Sequence, residues 1–271
     1  QIPYILRVGA AEYSKIGTPG SKGTKVFALG GKINNVGLVE VPMGTTLRTL
    51  IYDIGGGIPD GKKFKAIQTG GPSGGCLTEK DLDTPIDYDT LVAKGSMMGS
   101  GGAIVMDEDN CMVDVAHFYM DFICSESCGK CSHCRIGTKR IFEMLTDVVE
   151  GRATEQTLVE MKDLATVIQS GALCALGQTA ANPILSTMKN FPEEYEAHVK
   201  DKKCPAHVCK KLTHFTIDKN RCKKCSLCAR NCPVSCIHGT PGKEPYVIDQ
   251  TRCIRCGSCF TLCRFGAVIK E

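Results

Sequence analysis

Tryptophan is absent from this 271-residue sequence, and aromatic residues account for only 6% of it. The sequence has no run of about 18 apolar residues, so it predicts no membrane span. It also lacks a basic segment followed by an apolar stretch, the pattern of an export signal. No Ser/His/Asp arrangement or pair of carboxylates indicates hydrolysis, and we predict no catalytic residue.

Cysteine is the residue in excess, with 18 copies. A secreted disulfide scaffold is the first alternative for such a composition. However, most of the cysteines lie beyond residue 127 in Cys-x-x-Cys steps, a spacing that suits metal ligation. Reduced, metal-bound thiolates predict a cytoplasmic protein. A cluster held by four thiolates carries about −2, so three clusters would lower the net charge from +4 to roughly −2, and we predict no nucleic-acid partner.

The hydrophobic periodicity divides the chain into successive units, and the predicted fold class is α+β multidomain. Strands at 26–33, 37–43, 64–71 and 103–107, with a helix at 45–54, predict a small β-grasp-like unit over 26–110. Apolar residues then recur at helical spacing, which predicts a four-helix bundle over 111–200. A lysine-rich link, 201–213, precedes an internal repeat over 214–271.

The repeat aligns FTIDKNRCKKCSLCARNCP with YVIDQTRCIRCGSCFTLCR. Both halves show C-x2-C-x2-C-x3-C, the spacing of bacterial ferredoxins with two [4Fe-4S] clusters, in which the fourth cysteine ligates the other cluster. The first predicted ligand set is Cys222, Cys225, Cys228 and Cys263. The second is Cys253, Cys256, Cys259 and Cys232. The alternative, a structural zinc ribbon, does not account for two matched sets, and Cys236 is left over as a spare buried thiol.

A third cluster site is predicted in SESCGKCSHCRIG, where Cys128, Cys131 and Cys134 lie on one loop. The next cysteine along the chain is Cys174, in GALCALGQ. Two helices between these segments would return the chain to the same end of the bundle. We therefore predict that Cys174 is the fourth ligand.

These segments, with KVFALGGKINNVGLVEVPMGTTLR, GGPSGGC and MGSGGAIVMDEDNCMVDVAHF, carry a family resemblance. The sequence resembles the NADH-binding flavin subunit of complex I. It is most similar to the flavin/iron–sulfur β subunits of NAD(P)-linked, multimeric [FeFe]-hydrogenases and of related formate dehydrogenases. The resemblance covers the whole chain. It implies an SLBB ubiquitin-like β-grasp domain at 26–110, a helical domain whose cluster receives electrons from FMN at 111–200, and a ferredoxin-like domain at 214–271.

In that family, FMN and NADH bind an upstream Rossmann-like domain with a glycine-rich loop. The glycines at 70–75 and 98–102 do not open a helix after a strand, as the dinucleotide fingerprint requires, and are expected to form turns. The resemblance therefore implies that residues 1–25 end a missing flavin domain. A first residue of Gln1 rather than Met fits the expectation of a fragment.

A further metal site is predicted where the bundle meets the link. His198, Cys204 and Cys209 allow a tetrahedral zinc site, and this pattern recurs at the same place in the resembling β subunits. Cys111 is the preferred fourth ligand, with His207 and Cys124 as alternatives. Such a site would anchor the hinge at 201–213 without redox activity. Free thiols on a flexible linker are the alternative interpretation.

Together these features predict electron transfer through three [4Fe-4S] clusters in a multimeric, electron-bifurcating hydrogenase. The resemblance implies four partners: a catalytic subunit with an H-cluster, a small [2Fe-2S] thioredoxin-like subunit, ferredoxin, and NAD(H) or NADP(H) bound through the missing FMN domain. One alternative is the β subunit of a bifurcating NAD-dependent formate dehydrogenase. A stand-alone ferredoxin-type carrier is the other.

Overall fold

The computed structural model describes all of residues 1–271. Two exposed helices begin the chain, α1 (Ile2–Val8) and α2 (Ala10–Tyr13), and neither contains a buried residue. None of the helices in the structure has the length and apolar character needed to cross a membrane.

A five-stranded sheet follows, with a helix before its last strand. The elements are β1 (Thr24–Gly31), β2 (Gly37–Pro42), β3 (Phe64–Thr69), β4 (Cys76–Leu77), α3 (Tyr88–Ala93) and β5 (Gly102–Asp107). The strand order in the sheet is β2-β1-β5-β3-β4. Because β1 alternates buried and exposed side chains, Phe27 and Leu29 enter the core. The predicted helix over 45–54 is replaced in part by a π-helical segment, Thr49–Ile54, which buries Leu50 and Ile51 against the sheet.

The helical region contains six helices. These are α4 (Met112–Glu126), α5 (Ser132–Val149), α6 (Glu155–Gly171), α7 (Ala175–Thr179), α8 (Asn182–Asn190) and α9 (Pro192–Val199). The four predicted helices correspond to α4, α5, α6 and α8. Two short helices are added, because the chain turns after Cys174 and because Pro192 starts a new helix at its first position.

The C-terminal module has little regular structure. Its elements are β6 (Phe215–Ile217), α10 (Leu227–Arg230), β7 (Ile237–His238), β8 (Val247–Ile248), α11 (Ser258–Leu262) and β9 (Val268–Lys270). Strand β6 pairs with β9, and β7 pairs with β8, both antiparallel. The two ends of the module therefore meet, and the repeated halves face each other.

A buried ion pair joins the sheet to the bundle. Lys65 Nζ on β3 lies 2.6 Å from Glu194 Oε1 on α9, with side chains 17% and 6% exposed. The other carboxylate oxygen of Glu194 accepts the backbone N–H of Met112 at 2.9 Å, at the start of α4. The backbone N–H of Cys76 donates to Ser186 Oγ on α8 at 3.0 Å. Sheet and bundle are thus connected by polar contacts as well as by apolar packing.

We expect Glu194→Ala to lower the free energy of unfolding by about 3 kcal/mol, because the substitution leaves the buried ammonium group of Lys65 without its partner. The matched control is Glu12→Ala, which removes an exposed ion pair with Lys15 and should cost less than about 1 kcal/mol. Anaerobic unfolding of the metal-loaded chain, followed by circular dichroism, measures both. Equal losses in the two variants would contradict a stabilising role for the buried pair.

Candidate metal centres

The first cavity of the C-terminal module lies between the first cysteine loop and the end of the second repeat. Cys222, Cys225, Cys228 and Cys263 all line it, and most of its other walls are apolar. The loop wraps around this space through two residues with left-handed backbone, Lys224 and Ser226. The structure therefore brings together the first ligand set predicted from the spacing, including the cysteine from the opposite half.

The second cavity lies between the second cysteine loop and the end of the first repeat. Its sulfur-bearing walls are Cys232, Cys253, Cys256, Cys259 and Cys236. Arg255 and Gly257 take the left-handed conformation here, at the positions equivalent to Lys224 and Ser226. The predicted second set thus also meets at one place, together with a fifth cysteine.

Hydrogen-bond donors point at several of these sulfur atoms. The backbone N–H of Arg255 donates to Cys253 Sγ at 3.4 Å, and that of Cys236 donates to Cys232 Sγ at 3.4 Å. The Ser258 hydroxyl lies 3.4 Å from Cys256 Sγ and holds the pKa of that thiol below its ordinary value. Burial instead raises the pKa of Cys259 to about 11. Donors of this kind stabilise thiolates that ligate a cluster.

The segments that contain the third predicted set approach each other in the bundle. The backbone N–H of Leu173 lies near the sulfur of Cys131 and lowers the pKa of that thiol. Ser127 Oγ lies 3.3 Å from Cys134 Sγ, and Gly177 packs closely against Cys134. Cys174 is the N-terminal cap of α7, directly after Leu173. The segment that contains Cys174 therefore lies against the loop that contains the other three cysteines.

A fourth group lies between the bundle and the link. Cys111, His198, Cys204 and Cys209 are all buried, and their ligand atoms lie within 4.8 Å of one another. His198 Nε2 is 3.4 Å from Cys111 Sγ and 3.3 Å from Cys209 Sγ. His198 Nδ1 donates to the carbonyl of Glu194 at 2.7 Å, so Nε2 is free to face the sulfur atoms.

Secondary structure positions each member of this group. Cys111 caps the N-terminus of α4, and His198 lies in the last turn of α9. The backbone N–H groups of Val208 and Cys209 donate to Cys204 Sγ at 3.3 and 3.5 Å. Hydrogen bonds from the thiols of Cys111 and Cys209 hold the pKa of Cys204 well below its ordinary value. Three cysteine sulfurs and one imidazole nitrogen are a donor set that fits zinc, which binds cysteines as thiolates.

The two alternative ligands lie elsewhere. Cys124 is on the same helix as Cys111 but about 20 Å further along it, at ~1.5 Å per residue. His207 lines a separate cleft with Cys256 and Phe260. The structure therefore groups Cys111, and neither alternative, with the other three residues.

Three family models match successive parts of the chain. The SLBB domain model matches residues 26–77, and the NADH-ubiquinone oxidoreductase-F iron–sulfur binding region matches 114–198. The 4Fe-4S dicluster domain model matches 221–267.

Full-length relatives extend this similarity. The NADP-reducing hydrogenase subunit HndC of Solidesulfovibrio fructosivorans is 61% identical over the whole of this chain, which covers 55% of that subunit. The F-type subunit of an NADH-quinone oxidoreductase from Rhizobium meliloti is 37% identical over 76% of the chain, covering 49% of the relative. This chain is a homologue of these oxidoreductase subunits. It spans about half their length.

A solved structure shows the same arrangement of elements. The air-oxidised NAD⁺-reducing [NiFe]-hydrogenase matches with a TM-score of 0.67 at 27% identity, over 73% of this chain and 34% of the matched chain. The α+β multidomain fold predicted from the sequence is thus confirmed by the domain models and by the structure.

Several residues of these sites were not predicted from the sequence. Ser127, Leu173, Glu194 and Ser258 carry no ligand motif, and each acts through one donor or acceptor atom placed by the fold. Gly177 had a weak signal, since it lies three residues after Cys174. A glycine inside a helix often marks a close contact.

We expect Gly177→Ala to prevent binding of the [4Fe-4S] cluster predicted at Cys128, Cys131, Cys134 and Cys174, here called the bundle cluster. A Cβ at this position would lie 2.4 Å from Ala172 Cβ and 3.2 Å from Cys134 Cβ, so α7 must move away from the cysteine loop. About four iron atoms per chain should be lost. Gly37→Ala is the control, because a Cβ there meets no atom within 4 Å. An unchanged iron content in Gly177→Ala would show that the two loops need not touch to hold the cluster.

Proposed function

We propose that this chain is the electron-transferring part of an NAD(P)-linked hydrogenase. It would pass electrons through three [4Fe-4S] clusters, between FMN with NAD(P)H on one side and ferredoxin or a hydrogenase catalytic subunit on the other. The observation that carries the proposal is the pair of cavities in the C-terminal module, each lined by all four cysteines of one predicted ligand set, drawn from both halves of the repeat. When bound, such clusters supply one-electron redox chemistry.

The proposed ligands follow from these positions. The first ferredoxin-type cluster is assigned to Cys222, Cys225, Cys228 and Cys263. The second is assigned to Cys253, Cys256, Cys259 and Cys232. The bundle cluster is assigned to Cys128, Cys131, Cys134 and Cys174. In each set three thiolates come from one loop and the fourth from a distant segment.

The protein around the sulfur atoms would determine how strongly each site attracts an electron. Apolar side chains, among them Ile217, Tyr246 and Val268, form much of the lining of the first cavity and lower its polarity. Backbone N–H donors at Cys253 and Cys232 stabilise added negative charge. Cys225 and Cys256 are exposed, so each ferredoxin-type site has one thiolate at the surface, where a partner's redox group can approach.

We also propose a zinc ion bound by Cys111, His198, Cys204 and Cys209. Three thiolates and a neutral imidazole are a usual structural zinc set. Zinc has no redox chemistry of its own, so its role would be mechanical. It would hold the start of the link, at Cys204 and Cys209, against the ends of α4 and α9.

The whole-protein partners belong to the same proposal. The aligned part of this chain covers about half of each relative, and the flavin domain with FMN and NAD(P)H would lie in their remaining length. The name of the 61% identical relative favours a hydrogenase over a formate dehydrogenase. A catalytic subunit, a small [2Fe-2S] subunit and ferredoxin are the proposed partners, and the proposed location is the cytoplasm.

Iron content tests the three clusters directly. The loaded chain should contain about twelve iron atoms, four per cluster, and electron paramagnetic resonance during stepwise reduction should resolve three centres. Cys128→Ala/Cys174→Ala and Cys222→Ala/Cys225→Ala should each lose about four iron atoms. Cys124→Ala, outside every proposed set, should lose none. About eight iron atoms in the wild type, with Cys128 and Cys174 freely alkylated, would overturn the bundle cluster.

Metal analysis of the same preparations tests the zinc site. We expect about one zinc per chain, lost in Cys204→Ala/Cys209→Ala while iron is retained. Cys124→Ala again serves as the control and should keep its zinc. The site is not zinc if the wild type lacks that metal, or if the double variant loses about four iron atoms together with it.

A further inference from the structure

The two cavities of the C-terminal module differ by one sulfur atom. Cys236 lies four residues after Cys232 and lines the second cavity. The equivalent position in the other half, four residues after Cys263, is Ala267, which lines the first cavity. Both side chains are buried, and a strand starts immediately after each, at Ile237 and Val268. The site at Ala267, which lacks the additional thiol, therefore serves as an internal comparison for the site at Cys236.

The fifth sulfur is in direct contact with proposed ligands. Cys236 Sγ lies 3.5 Å from Cys232 Sγ, a distance at which a thiol can donate to a sulfur acceptor. Cys253, from the other half of the repeat, lines the same cavity. Cys232 and Cys253 belong to the set assigned to the second cluster. Cys236 thus contacts one ligand sulfur and shares the cavity with the remaining three.

The symmetry of the repeat indicates that Cys236 is not itself a ligand. Cys263 lines the first cavity as the fourth sulfur, and no further cysteine is available there. Cys232 occupies the same place in the motif, so it completes the second set without Cys236. A buried sulfur that is not bonded to iron keeps its proton, and a thiol is a weak hydrogen-bond donor.

Resting on the proposed pair of clusters, we propose that Cys236 is a positioning residue whose S–H donates to a ligand sulfur of the second cluster and makes that cluster easier to reduce. Hydrogen bonds to the sulfur atoms and the local net charge set the potential of a cluster. A donor favours the reduced state because that state carries one more negative charge. Ala267 supplies no such donor to the first cluster.

Cys236→Ala and Ala267→Cys test this inference in the full-length, cluster-loaded chain. Potentiometric titration followed by electron paramagnetic resonance gives the midpoint of each centre. We expect Cys236→Ala to shift one ferredoxin-type centre to lower potential, with the iron content unchanged. Cys236→Ser keeps a hydroxyl donor and should restore part of the shift. Ala267→Cys should move the other ferredoxin-type centre to higher potential.

The outcomes separate this inference from the proposed function. A wild type without two ferredoxin-type centres would overturn both. Two intact centres with unchanged midpoints in Cys236→Ala would overturn only the role of Cys236. Loss of about four iron atoms from both Cys236→Ala and Cys236→Ser would show that Cys236 is a ligand, and this would also overturn its proposed role as a positioning residue. If only Cys236→Ala loses iron, the midpoint potentials of Cys236→Ser and Ala267→Cys test the proposal instead. Unchanged midpoint potentials in both variants would reject it.

Discussion

The C-terminal module has too small an apolar interior to hold its fold by burial alone. Its core consists of seven buried residues, and two of these, Cys236 and Cys259, are cysteines. Five further cysteines pack against the same core while partly buried. Domains with so little to bury usually need disulfides or metals. If the cysteines ligate clusters as proposed, metal–thiolate bonding contributes directly to the stability of the module, because the sites do not exist in the unfolded chain.

A different linkage holds the remainder of the chain together, and Glu194 is central to it. Its carboxylate pairs with Lys65 on the sheet and accepts from the N–H of Met112 at the start of α4. Its backbone carbonyl accepts from Nδ1 of His198, which turns Nε2 toward three sulfur atoms. One residue therefore connects the sheet, the first bundle helix and the proposed zinc ligands.

The link between bundle and module gives the two cavities different surroundings. The Arg255 guanidinium, on the second cysteine loop, donates to the backbone carbonyls of Lys210 and Lys211, just after Cys209. His207 and Lys210 also line the same cleft as Cys256. No residue of the link lines the first cavity. The second cavity is thus the one adjacent to the link, and it is also the one with the additional thiol.

The sequence alone determined the division into units and the three cysteine motifs, because ligand spacing and hydrophobic period are local properties of the chain. The tertiary structure decided which distant residues meet them. The spacing of the residues did not decide whether Cys111, His207 or Cys124 is the fourth ligand beside His198, Cys204 and Cys209. Only the packing of α4 against α9 brings Cys111 to these three residues. The same holds for Cys236, which shares a cavity with Cys253 only because the two halves of the repeat fold against each other. Such contacts join residues far apart in sequence, and no local pattern records them.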